Sequence, residues 1–154
     1  MLDVSVVVPV RNAARTLPVC LEALAGLDPS PMEILLVDNG SADESLAILR
    51  AFAGKCTAIP TRVLEEPRRG AAVARNAAAN VAHGEVIAFT DADCEPEKAW
   101  LGHLVRPFAD PAVGAVAGRV AAAPASSTVE LFSGISGEGD RPLAAGEFGL
   151  RIAD

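Results

Sequence analysis

Tyrosine is absent from this sequence and tryptophan occurs once, so aromatic residues amount to only 4% of the chain. Any core must therefore be built from aliphatic side chains and alanine, which suits a parallel sheet rich in Val, Ile and Leu with helices over both faces. A basic surplus is also missing, the formal net charge being -7. Proteins that bind nucleic acid carry Lys and Arg to displace phosphate counterions, so this balance speaks against nucleic acid as a partner. A single nucleotide stays open, because it needs only a few placed arginines and a metal. No apolar run reaches the roughly 20 residues that span a bilayer. The run from Val4 to Val10 is too short for a secretory signal and lacks a basic leader, so no membrane anchor is expected within this chain. The three cysteines, Cys20, Cys56 and Cys94, are odd in number and show no CxxC spacing. They read as reduced, buried, structural thiols of a cytosolic protein. No internal repeat of useful length is visible.

What is present is a folded domain: 51% hydrophobic against 21% charged residues is a globular balance, and 154 residues make one domain with a genuine core. Val4 to Pro9 reads as a first, central strand ended by proline. Thr16 is placed to N-cap a helix with Pro18 in its first turn, and Leu17, Cys20, Leu21, Leu24 and Leu27 form its apolar stripe. Asp28 to Pro31 is a turn. Glu33 to Val37 is a second strand ending in Asp38 and the turn pair Asn39-Gly40. Ser41 and Glu44 have the spacing of a capping box, before a helix with Leu46, Leu49 and Phe52 inward. A third strand is expected near Arg62-Val63-Leu64. An alanine-rich helix runs from Ala71 to about Ala82, with Gly84 at its left-handed C-terminal cap. Residues 85 to 90 form the next strand. Pro96 starts a helix with Trp100, Leu101, Leu104 and Phe108 inward, and Val113 to Val120 is a further strand. Beyond Ala121 come a Pro/Ala/Ser stretch at 122–127, an apolar segment from Val129 to Ile135, and a Gly-rich tail without periodicity. The alternation predicts a doubly wound α/β fold.

Chemistry concentrates where apolar strands stop. Phe89-Thr90 gives way to Asp91-Ala92-Asp93, and carboxylates released at strand ends of an open α/β sheet project into the binding crevice. Hard divalent cations take such oxygens and complete their shell with substrate phosphates. Read alone, such a pair more commonly serves as loop carboxylates capping the next helix. Cys94 is too soft a ligand for such a metal. Asp38 suits a ribose hydroxyl or base N–H, with turn formation as the plain alternative. Arg68 and Arg69 precede a helix N-terminus, where backbone N–H groups favour anions, and Arg75 lies within reach in that helix; Arg68 reads best as a solvated surface cation. Polar groups after three strands (Arg11 and Asn12, Asp38 and Asn39, Asp91 and Asp93) converge if the first strand lies between the other two. His83 and His103 read as surface or packing residues, and Trp100 as a core anchor, with a sugar platform beside Asp93 as its other reading.

In register, the strand ending Val8-Pro9-Val10-Arg11-Asn12, the segment Ile34-Leu35-Leu36-Val37-Asp38-Asn39-Gly40-Ser41, and the run Arg69-Gly70-Ala71-Ala72-Val73-Ala74-Arg75-Asn76 leading to Asp91-Ala92-Asp93 resemble the family 2 glycosyltransferases. Val113 to Gly118 extends the likeness over about the first 120 residues. The resemblance implies a GT-A fold, a mostly parallel Rossmann-like sheet with helices on both faces, here apparently truncated at the C-terminus. It implies a nucleotide-sugar-binding core over residues 1–120, with 121–154 a partial continuation or poorly ordered tail of the same domain.

The resemblance also implies residue roles. Pro9, Val10 and Arg11 hold the base, Arg11 standing where relatives often carry an aromatic and able to stack in its place. Asp38 contacts base or ribose, Arg69 and Gly70 line the nucleotide, and Arg75 lies behind them. Asp91 approaches ribose or metal and Asp93 coordinates the divalent ion, manganese or magnesium. The implied reaction is metal-dependent, inverting transfer from a nucleotide-diphosphate sugar, a UDP-sugar for preference, to an acceptor of unknown class (glycan, lipid or small molecule). The setting is cytoplasmic, reaching the inner membrane surface through the acceptor. Inversion needs a carboxylate base, and no acidic pair after Asp93 matches the family's; Glu130, Glu138, Asp140, Glu147 and Asp154 are carboxylates without an assigned role. The expectation is a truncated enzyme or an isolated donor-binding half. Two enzymatic alternatives fit less well: a nucleotidyltransferase wants a Gly-rich loop after the first strand, and an aspartyl phosphatase wants its Asp-x-Asp there. A catalytically incomplete nucleotide-sugar-binding module is the non-enzymatic alternative.

Overall fold

The computed structural model describes residues 2–121 and 148–151. A six-stranded sheet has the order β3-β2-β1-β4-β6-β5, with β1 Val4–Val10, β2 Glu33–Asp38, β3 Thr61–Glu65, β4 Val86–Phe89, β5 Ala115–Ala117 and β6 Phe148–Arg151. The first four strands are parallel, and β6 runs antiparallel to both β4 and β5. The helices are α1 Leu17–Ala25, α2 Ser45–Lys55, α3 Ala71–Ala79 and α4 Trp100–Val105, the last continued by a 3₁₀ turn, Arg106–Ala109. This is the doubly wound architecture with β1 between β2 and β4, so the ends of those three strands share one edge.

β1, β2 and β4 are buried along their whole length, yet period two still sorts their side chains. Val6, Val8, Val10, Ile34, Leu36 and Ala88 face one layer, with α1, Leu49 of α2, and Trp100, Leu101 and Leu104 of α4. Val7, Leu35, Val37, Ile87 and Phe89 face the other, where Ala74 and Ala78 of α3 are fully buried. The stripe of α1 is buried as its spacing predicts. In α2, Leu49 is buried and Ile48 and Phe52 pack against the core, while Leu46 is half-buried.

Several local expectations are corrected. Pro9 does not end β1; it pairs with Val37 inside the strand, and Val10 with Asp38. Val7 and Pro9 direct their backbone groups toward β4, which stops at Phe89 opposite Val7, so the N–H that proline lacks falls where that ladder has ended. Ser41 and Glu44 form no capping box: α2 starts at Ser45 without a side-chain cap, because Ser41 Oγ accepts instead from Asn12 N at 3.1 Å. Thr16 occupies the N-cap position but its hydroxyl donates to the Ala13 carbonyl, 3.3 Å, and caps nothing. The alanine helix ends at Ala79. Gly84 is no left-handed cap; a Cβ there would lie 2.5 Å from Ser5 N and 2.9 Å from Asp3 O, so close backbone approach demands the glycine. The helix foreseen at Pro96 begins at Trp100, and the strand foreseen over Val113 to Val120 covers only Ala115–Ala117. β6 comes from the tail in which no periodicity was legible. The segments 122–127 and Val129 to Ile135 lie outside the described residues. Cys20 is buried, but Cys56 and Cys94 are only half-buried; all are free thiols. No helix among the described residues is long and apolar enough to cross a membrane.

Candidate nucleotide site

Two loops interlock where β1 and β2 end. Asn12, at φ 50°, accepts from Ala42 N through Oδ1 at 2.7 Å. Ala13 N donates to Ser45 Oγ, 2.9 Å, and Ala14 N to Asp43 Oδ2, 3.0 Å. The Ser45 hydroxyl and the Ala14 N–H hold the Asp43 carboxyl below its ordinary pKa, since hydrogen bonds to the ionised form favour it. Pro9 and Val10 are buried in this corner and Arg11 is exposed at its rim.

Asp38 ends β2 almost fully buried, 5% exposed. Its Oδ2 accepts from Gly40 N and Ser41 N, both at 3.2 Å, with Gly40 at φ 71° closing the turn. Its Oδ1 is buried with no hydrogen-bond partner. Asn39, 3% exposed, ties the neighbouring loop down: Nδ2 donates to the carbonyls of Glu66 and Arg68, 2.8 and 2.7 Å, and Oδ1 accepts from Gly70 N, 2.8 Å. By sequence Asn39 is a turn residue and one of the polar groups at the strand ends; its burial and its hold on the 66–70 loop are legible only in the folded chain. Within the loop, Glu66 receives the Arg68 guanidinium through Nε at 3.0 Å and Nη2 at 2.9 Å. That pairing, with the Arg68 N–H, lowers the Glu66 carboxyl to about 2 and raises Arg68. Arg68 is therefore exposed but committed, a finer result than a solvated cation. Arg69 is exposed, and Gly70, at φ 136°, turns the chain into α3.

On the other side of β1, Arg75 Nη2 donates to Asp91 Oδ1, both side chains being 24% exposed, while Arg75 Nε is buried without a partner. The Asp91 carbonyl accepts from Cys94 N at 3.0 Å and lies 3.6 Å from Cys20 Sγ. Asp93 is exposed. Asp91 and Asp93 border a cavity of about 1170 Å³ that runs toward Val19, Trp100, His103 and Val120. Asp38, Arg69 and Gly70 do not line it, so the strand-end edge holds an Asp38 corner and an Asp-x-Asp corner joined through Arg75 and α3. His83 packs against Glu33, its N–H donating to Oε1 at 2.8 Å, and His103 borders the cavity. Glu130, Glu138, Asp140, Glu147 and Asp154 lie outside the described residues.

No group of three or more His, Cys, Asp or Glu among the described residues could hold a metal. Two carboxylates on one rim nevertheless fit a magnesium- or manganese-type ion, which binds through one or two carboxylates and takes its other oxygens from substrate phosphates and water.

Residues 5–137 match the Glycosyl transferase family 2 profile. The chain belongs to glycosyl transferase family 2. It is 34% identical over 119 residues to glycosyltransferase AglE of Haloferax volcanii, covering 76% of this chain and 39% of that protein. In structure it is similar to mannosyltransferase PcManGT from Pyrobaculum calidifontis in complex with GDP-Man and Mn2+, with TM-score 0.70 and 33% identity over 77% of this chain and 37% of that one. It is also similar to S. aureus TarS 1-349 in complex with UDP-GlcNAc, with TM-score 0.61 and 25% identity over 80% of this chain and 37% of that one. The fold is of the GT-A type, and the chain spans less than half the length of these relatives.

Proposed function

We propose that the strand-end edge of this family 2 chain binds a nucleotide-diphosphate sugar, a UDP-sugar by preference, with manganese or magnesium at Asp91 and Asp93. One observation carries the reading: Asp38, at the same edge as the Asp-x-Asp pair, keeps a buried oxygen without a donor. An unsatisfied buried acceptor costs about 1–3 kcal/mol, and a base N–H or ribose hydroxyl would relieve it once the carboxylate turns toward the open edge. PcManGT with GDP-Man and Mn2+ and TarS with UDP-GlcNAc support a donor and, for the first, a metal of this kind.

In this reading Pro9, Val10 and Arg11 form the base corner, and the exposed Arg69 with the start of α3 faces the diphosphate. Arg75 fixes the Asp91 carboxylate in place, leaving Asp93 the more available metal ligand. Asp93, with Asp91, would hold the ion, which would supply positive charge against that of a departing diphosphate. The full-length reaction we assign is inverting sugar transfer to an acceptor hydroxyl, in a cytoplasmic setting that keeps the cysteines as thiols.

Isothermal titration of UDP, GDP and UDP-glucose, with and without manganese, tests this reading. The expected result is metal-dependent binding with UDP and UDP-glucose ahead of GDP. Failure of all three to bind in either condition would overturn it. Binding without sugar transfer or donor hydrolysis would favour a binding module over an enzyme.

A further inference from the structure

We propose that Asn39 is a positioning residue of the donor site and that it acts through Arg69; the inference rests on the donor-site reading above. Both N–H groups of the Asn39 amide and its oxygen are engaged. Its Nδ2 spans the carbonyls of Glu66 and Arg68, 2.8 and 2.7 Å, and its Oδ1 takes the Gly70 N–H, 2.8 Å. The Arg68 carbonyl and the Gly70 N–H are the backbone groups on either side of Arg69. One buried side chain therefore holds the main chain of Arg69 from both ends.

The same side chain belongs to the residue after Asp38, and its own N–H donates to the Val10 carbonyl at 2.8 Å. Arg69 is thus referenced to the strand ends that carry the base corner. No rotation of a distant element is needed to keep the two in register.

Glu66 completes the arrangement by sorting two adjacent cations. Its carboxylate takes the Arg68 N–H at 2.9 Å as well as Nε and Nη2 of the same residue. Arg69 is exposed and enters no ion pair among the described residues. A long guanidinium arm meets an anion well only if its root is fixed, and ångström-scale misplacement of a charged contact is costly. The chemistry Asn39 contributes cannot come from a small apolar residue, which leaves two carbonyls and an N–H without partners.

A double-mutant cycle distinguishes positioning from general support. UDP affinity with manganese is measured by titration for the chain as it stands, Asn39→Ala, Arg69→Ala and the double variant, alongside each thermal midpoint. The expected result is about tenfold weaker UDP binding for Asn39→Ala when Arg69 is present, and less than twofold when it is absent, with the same loss of midpoint in both backgrounds. Equal weakening in the two backgrounds would overturn the proposal, leaving Asn39 a purely structural residue. If Asn39→Ala does not fold, Asn39→Ser, which keeps one donor, takes its place in the same cycle with the same criterion. Absence of UDP binding by the unmodified chain would strike the donor-site reading itself, before the cycle is reached.

Discussion

Strand β2 begins and ends in a buried carboxylate, and the two are treated in opposite ways. Glu33 and Asp38 are each 5% exposed. At the first end, Glu33 Oε1 accepts from the Ser5 hydroxyl and the His83 N–H, both at 2.8 Å, and Oε2 lies 3.5 Å from Arg62 Nε and from His83 Nδ1. Burial alone would raise this carboxyl, yet the His83 N–H, the Ser5 hydroxyl and Arg62 together hold it below its ordinary value. Ser5 Oγ also accepts from Gly84 N at 2.9 Å, so the approach to β4 is fastened there too. At the other end, Asp38 has one oxygen in a turn and one with no donor. The first carboxylate is satisfied by the fold; the second keeps a buried oxygen that the fold leaves without a donor.

Removing each carboxylate should separate the two roles most sharply. Glu33→Ala strands several buried donors and should lower unfolding free energy by about 3 kcal/mol in a urea titration, with UDP affinity per folded molecule unchanged. Asp38→Asn should do the reverse, weakening UDP at least tenfold while stability stays within about 1 kcal/mol, since its turn acceptor is retained. Equal stability losses in both variants would erase the contrast.

Glycines at the two ends give a smaller test. Gly84→Ala forces a Cβ against the Ser5 and Asp3 backbone and should cost about 2 kcal/mol. Gly40→Ala meets open space at φ 71° and should cost only the left-handed penalty, about 1 kcal/mol.

Acid resolves the comparison more finely still. A carboxyl with a depressed folded pKa contributes stability that is complete above its unfolded pKa and is lost as pH falls through the folded one. Glu33 should therefore contribute fully above pH about 4.5 and less below it. Glu66, held at about 2 by Arg68, loses its contribution between that unfolded range and pH 2. Glu33→Gln should flatten the stability-against-pH curve below pH 4.5, measured by urea unfolding at stepped pH; an unchanged slope would show that the Glu33 network is not coupled to folding.

Elements with strong local signals were legible in the sequence: the Val-rich β1, the Ile-Leu-Leu-Val of β2, the α1 stripe, and the apolar run that stops at Asp91. The place of β1 between β2 and β4 was a condition of the sequence pattern, and the sheet order meets it. What escaped depends on partners distant in the chain. Loop 12–14 claims the Ser41 and Ser45 hydroxyls and one oxygen of Asp43, whose other oxygen takes the Ser45 N–H, so α2 starts at Ser45, later than its sequence suggests. Gly84 looked like a helix stop because nothing local reveals that the Ser5 backbone lies against it. β6 has no pattern of its own and exists by pairing with β4 and β5. Of the site, the residue types at the strand ends were readable, whereas the unpartnered oxygen of Asp38, the Arg75 to Asp91 link and the hydrogen bonds of the Asn39 amide are properties of the assembled edge.

The most direct test of that edge as a nucleotide-diphosphate and metal site is a thermal-shift measurement with UDP, with and without manganese, on the chain and on Asp93→Ala. A ligand that binds only the folded state at 100 times its Kd stabilises by about 2.7 kcal/mol, which is readily seen as a raised midpoint. The account predicts a manganese-dependent rise with UDP that Asp93→Ala abolishes while its ligand-free midpoint is unchanged. Equal manganese-dependent stabilisation in both proteins would contradict it.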